Sequence, residues 1–175
     1  MARIAYADET GDPEIMALAA QIRAERDGHV PNIYRMLLNS PPVARGWLNL
    51  LTAIRHKSTL AGRHRELVII RIAVINGAEY ERTIHVPIAR KEGMSDAQIA
   101  AIGNWETATV FDDADRAVLA YTDAMTREVH VPDAVFAAVK KHFDARKLTE
   151  LTATVAAYNL VSRFLAAMQI DPEQQ

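Results

Sequence analysis

The stretch Arg63–Gly77, RHRELVIIRIAVING, decides the fold. Leu67, Val68, Ile69, Ile70, Ile72, Ala73, Val74 and Ile75 cover nearly the whole circumference of a helix drawn through it. A helix that is apolar on every side is buried in a core or an interface. The β-branched content would also suit a buried strand. Length decides for helix, as does the lack of partner strands, since no segment shows sustained two-residue alternation between turn signals.

Working outward, Gly77 gives a turn and the next helix follows. On the N-terminal side, Asp12 and Pro13 open a first helix in a favoured cap pairing, and Gly28 stops it. A short helix starts at Pro31 and is ended by Pro41 and Pro42. A third runs from about Pro42 to Lys57, with Trp47, Leu48, Leu51 and Ile54 on its apolar side. On the C-terminal side, Ser95 and Gln98 form a capping box for a short helix closed by Gly103. Asp112, Asp113 and Asp115 suit the positive end of the next helix. Pro132 starts another, to about His142, and the last spans roughly Ala145 to Met168. With no repeat, linker or low-complexity segment, the reading is one all-α domain over 1–175: an N-terminal helical arm (1–28) and a helical bundle.

The chain has 175 residues, half of them apolar and 6% aromatic, with a formal charge of -2. That suits one sizeable core of closely packed helices. No basic footprint for nucleic acid is present, because the most basic piece, KKHFDARK (140–147), is broken by Phe143 and Asp144. No unbroken apolar run reaches the roughly 18 residues that span a bilayer. No apolar leader opens the chain, so the cytoplasm is the expected location. There is no cysteine, which removes thiol nucleophiles, disulfides and Cys-based metal sites together. Chemistry must come from His, carboxylates, Tyr, Arg or Lys.

The segment NGAEYERTIHVPIARKEG (76–93) gathers such groups. Residues four apart share a helix face, so Glu81 and His85 point the same way. A carboxylate beside an imidazole stabilises the imidazolium and fixes its orientation, as a general acid or base requires. The plain alternative is a solvated Glu–His pair. Against it stand the buried helix before and the apolar Ile84, Val86, Ile88 and Ala89 around. Pro87 has no N–H to return to the carbonyl of Thr83. Glu-x-x-His and His-Glu-x-x-His are both absent, and the other histidines lack ligand spacing, so no metal is expected.

The run Arg65–Gly93, RELVIIRIAVINGAEYERTIHVPIARKEG, resembles the core motif of the carboxymuconolactone decarboxylase and alkylhydroperoxidase D-like superfamily. The upstream HVPNIYRMLLNSPPVARGWLNLL (29–51) resembles the segment before that motif. GMSDAQIAAI (93–102) and ELTATVAAYNLVSRFLAAM (150–168) resemble its continuation. The likeness covers roughly 29–168. It implies an all-α fold of the alkylhydroperoxidase D-like type that self-associates, commonly as trimers or hexamers and otherwise as dimers. In the peroxidase branch a glutamate, a Cys-x-x-Cys and a histidine form a thiol site. Here the glutamate falls on Glu66, the histidine on His85, and the two cysteine places on Ala78 and Glu81. Thiol reduction of peroxides is therefore unavailable. The acid–base parts fit the decarboxylase-like branch, which needs no redox cofactor and acts on small unsaturated carboxylates or lactones.

The expected function is accordingly a cofactor-free decarboxylase or double-bond or cis–trans isomerase. The alternatives are a lactone hydrolase and a non-catalytic oligomeric binding protein of the same fold. The expected roles place His85 as proton carrier, Glu81 as its orienter, and Glu66 as a relay whose pKa burial raises. Arg163, with Asn159 four residues before it, is a candidate to hold a substrate carboxylate. Arg71 is another, set against a purely structural ion pair. Tyr80 and Tyr34 are candidates to close the pocket.

Overall fold

A computed structural model describes residues 1–26 and 28–173. Among the described residues the secondary structure is helical throughout, and no strand is present. The chain divides into two compact units, Met1–Lys57 with the C-terminal segment from Phe164, and Ser58–Arg163.

In the first unit, Asp12 accepts from the backbone N–H groups of Glu14 and Ile15 and Pro13 takes the first position of α1 (Pro13–Glu25). These contacts satisfy donors that a bare helix start would leave unpaired. Gly28, at φ +85°, turns the chain afterwards. Helices α2 (Asn32–Leu37) and α3 (Pro41–Thr52) follow, and their buried Met36, Leu37, Leu48 and Leu51 join Leu18 and Ile22 of α1 in one core. The helix expected to reach Lys57 changes after Thr52 into a π-helical turn, Ala53–Lys57. Apolar spacing cannot separate an α from a π turn over five residues. Trp47 stacks at a tilt on Phe164, ring centres 5.2 Å apart.

The second unit is built around α4 (Gly62–Asn76), whose residues Glu66 to Ala73 are all buried. The apolar-all-round reading holds through Ala73 and fails at the last turn, where Val74 is exposed and Ile75 half-buried; α4 packs chiefly against α5 (Glu79–Lys91) and α7 (Asp113–Arg127). Gly77 caps α4 in the left-handed conformation, φ 64°. The chain thereby reverses, and α5 returns antiparallel along α4. The Ser95–Gln98 capping box is present at α6 (Asp96–Ala101). That helix stops before Gly103, which lies instead in a 3₁₀ turn, Ile102–Asn104. Asp112 caps α7. Helix α8 (Asp133–Lys140) ends two residues short of His142. Helix α9 (Ala145–Met168) supplies residues to both units.

Although no unbroken apolar run is long enough to span a bilayer, α9 as a whole is long and apolar enough by composition. Its polar interior groups are already used within the unit. Asn159 Nδ2 donates to Thr126 Oγ1 (2.9 Å), and Asn76 Nδ2 donates to Ser162 Oγ (2.7 Å).

Candidate active site

Glu66 sits one turn into α4, Glu81 and His85 on the first two turns of α5. The hairpin at Gly77 brings Glu66 back against His85, 19 positions later in sequence. His85 Nδ1 lies 2.6 Å from Glu66 Oε2, and Nε2 lies 3.3 Å from Glu81 Oε2. Both ring nitrogens thus face carboxylates. The ring, at 3% exposure, is nearly shut off from solvent, as are Glu66 and Glu81. Tyr158 of α9 presses edge-on to the ring at 5.3 Å and 89°.

A second layer holds Glu66. Arg65 Nε donates to Glu66 Oε1 (3.1 Å), and the far arm of Arg65 meets Glu92 Oε1 at 3.2 Å. The Glu92 carboxylate fills the space where a Cβ on Gly62 would stand. Sequence spacing gave no warning of the Arg65 contact, since adjacent helix residues do not ordinarily face each other. Tyr158 was missed because it comes from a distant helix with no local motif around it.

These contacts set the charge state. Burial pushes His85 towards neutrality, but hydrogen bonds and charges from Glu66 and Glu81 outweigh it, and its pKa rises above the ordinary 6.5. Burial pushes the Glu66 carboxyl up, yet the hydrogen bond and charge of His85, backed by Arg65, hold it below 4.5. The expectation of a raised Glu66 is therefore corrected: two cations beside it win over desolvation. Among the described residues, no cluster of three or more His, Asp or Glu side chains is arranged to hold a metal ion.

Among the other candidates, Arg71, Asn159 and Tyr34 are held in packing and hydrogen-bond networks. Arg71, 2% exposed, is clamped by Asp123 through two bonds of 2.6 Å and donates to the carbonyls of Ile102 and Gly103. This is the ion pair weighed against the substrate role, and it ties α4 to α7 and the 3₁₀ turn. Asn159 is a buried hub. Its Oδ1 accepts from Asn76 (3.3 Å) and Arg163 (2.6 Å), and its Nδ2 donates to Thr126 and the Val155 carbonyl. Arg163 is exposed on α9. Tyr34 is a core residue of the first unit, its hydroxyl accepting from Arg26 at 3.1 Å. Tyr80 is buried on the first turn of α5, one residue before Glu81.

The sequence profile of the carboxymuconolactone decarboxylase family matches residues 41–124, a span that includes Glu66, Glu81 and His85. The Escherichia coli K12 protein YnjA is 34% identical over 145 residues, covering 82% of this chain and 74% of that protein. The chain belongs to the carboxymuconolactone decarboxylase family.

Solved structures share the fold. A peroxidase-related protein with an alkylhydroperoxidase AhpD core, from Ralstonia eutropha, superposes with a TM-score of 0.81 at 20% identity, covering 99% of this chain and 93% of that one. The debrominase Bmp8, as a cysteine-to-alanine variant with 2,3,4-tribromopyrrole, gives 0.78 at 17% identity, covering 99% and 94%. The alkylhydroperoxidase D-like, all-α architecture expected from the motif is thus the one found.

Proposed function

We propose that this family member is a cofactor-free acid–base enzyme, a decarboxylase or double-bond isomerase of small unsaturated carboxylic acids or lactones. One observation carries the reading: a buried Glu66–His85–Glu81 chain whose two ring nitrogens both meet carboxylates. Such a chain moves a proton along itself, and a chain without cysteine has no thiol to end it. The position that would hold a sulfur in the peroxidase branch carries Glu81. The complex of Bmp8 with tribromopyrrole supports a fold able to hold small, planar, unsaturated molecules.

In this reading the roles differ from those expected from spacing. His85 spends both nitrogens inside the chain, so Glu81 is the group left to meet substrate, with His85 as carrier behind it and Glu66 as anchor. In decarboxylation the bond from carbon to the leaving carboxylate breaks. Its electron pair enters the conjugated carbonyl as an enolate, and CO₂ departs. Glu81, protonated by His85 Nε2, then delivers that proton to carbon while Nδ1–H stays on Glu66, and a proton from water recharges the relay. In isomerisation the Glu81 carboxylate removes a proton from one carbon and returns it to another. The 3.3 Å between Nε2 and Oε2 is of the loose kind that shortens on substrate binding. Arg163 is carried as the cation for a substrate carboxylate, and self-association as the working assembly.

The test is a panel of muconolactones and unsaturated dicarboxylates followed by absorbance loss, with products identified by mass spectrometry. Glu81→Gln and His85→Gln should each lower turnover by about 100- to 10,000-fold, the range of a positioned proton carrier. Full activity in either variant would sink the mechanism. Binding of an acid by the native chain without any product would instead favour the non-catalytic binding module.

A further inference from the structure

The two protons of the relay have three arrangements. Both sit on the ring, with Glu66 and Glu81 ionised. Alternatively, the Nε2 proton moves to Glu81, leaving Nδ1–H on an ionised Glu66. In the third, the Nδ1 proton moves to Glu66, leaving Nε2–H on an ionised Glu81. Two flanking carboxylates in equal surroundings would give the last two equal weight.

Their surroundings are unequal. Glu66 bridges two cations, with Oε2 on His85 at 2.6 Å and Oε1 on Arg65 Nε at 3.1 Å. Among the described residues Glu81 has no cationic partner besides His85. The groups that face the ring are Glu66 from α4, Glu81 from α5 and Tyr158 from α9, and Tyr158 brings an aromatic edge rather than a charge. The Arg65 and Glu66 side chains are 12% and 2% exposed, so water screens their attraction weakly. At the rim, Glu92, 39% exposed, holds the other arm of Arg65.

We propose that Arg65, clamped between Glu66 and Glu92, is a positioning residue that keeps Glu66 a carboxylate and so directs the mobile proton to the Glu81 end. The relay then has a direction. Its Glu66 end is pinned negative, and the mobile proton rests at its Glu81 end. The proposal rests on the relay described above, not on turnover, so a chain that catalyses nothing would still show it.

The experiment uses the full chain labelled with [¹⁵N]histidine. Two-bond proton–nitrogen correlations are recorded at neutral and mildly alkaline pH. Of the six histidines, His85 is assigned by its loss in His85→Gln. The native chain should show a protonated Nδ1. Arg65→Met should move Nδ1 towards the unprotonated, acceptor type, and Arg65→Lys should move it back. Glu92→Gln, altered only at the rim, should shift it part of the way with an unchanged circular dichroism spectrum. A folded Arg65→Met protein with native Nδ1 signals overturns the proposal, as does failure of Arg65→Lys to restore them. Should Arg65→Met not fold, Glu92→Gln decides: an Nδ1 signal identical to the native one overturns it.

Discussion

At the level of single side chains, His85 and Glu66 displace each other's titration in opposite directions, and both displacements are statements about stability. His85 has a raised pKa in the folded chain. Its contribution is fully present below the unfolded value of about 6.5 and is lost as pH rises through the folded value. Glu66 has a lowered pKa. Its contribution is present above about 4.5 and is lost as pH falls through the folded value. Urea midpoints measured across pH should therefore fall on the alkaline side of neutrality, and His85→Gln should flatten that decline. An unchanged alkaline slope in the variant would contradict the ion pair. Glu66→Gln removes one partner of a buried pair and should cost about 3–5 kcal/mol at neutral pH, checked by chemical denaturation. How much of this the sequence carried depends on distance along the chain. The Glu81–His85 pairing was legible because four residues make one helical turn. Glu66 was reached only through the family motif, since its bond to His85 spans a hairpin. Arg71 was legible in its plain reading, because a lone cation on an apolar helix needs a buried partner.

Among the elements, helix starts were the most readable part. The caps at Asp12, Ser95 and Asp112 are each made by a short polar side chain on a nearby backbone donor. Helix ends were less readable, because a π turn after α3 and a 3₁₀ turn after α6 carry the same apolar spacing as α turns. A further contact lay beyond local pattern altogether. Glu150 of α9 accepts from the N–H and hydroxyl of Thr59 (2.9 and 2.8 Å) and the N–H of Leu60 (3.0 Å), just before α4 begins. Burial works against its charge, but these bonds and Arg146 lower its pKa to about 2. A depressed carboxylate stabilises above its unfolded pKa and ceases to as pH falls through the folded one. The loss should run from about pH 4.5 down to about 2. Glu150→Gln should lower stability at neutral pH by about 1 kcal/mol, since solvent screens this charge. Thermal melts at pH 7 and pH 2.5 should then differ less in the variant than in the native chain. An equal difference would show that Glu150 does not hold the entry to α4.

For the whole molecule, the composition had more to say about chemistry than about shape. A chain with no cysteine should reduce neither hydrogen peroxide nor an alkyl hydroperoxide with a dithiol donor, and its melting temperature should ignore added reductant. Peroxide turnover above the protein-free rate would refute the acid–base reading at its root. The all-α class was legible from the absence of two-residue alternation and from the one helix that is apolar on every side. The division into two compact units was not, because no linker, glycine run or change of composition marks position 57 or 163. The bareness of Gly62, described above as room for the Glu92 carboxylate, reaches beyond local packing. One methyl group there would swing a surface acid outward and slacken the guanidinium behind the buried imidazole. The charge balance around that imidazole should thus respond to an exchange as small as glycine for alanine at Gly62.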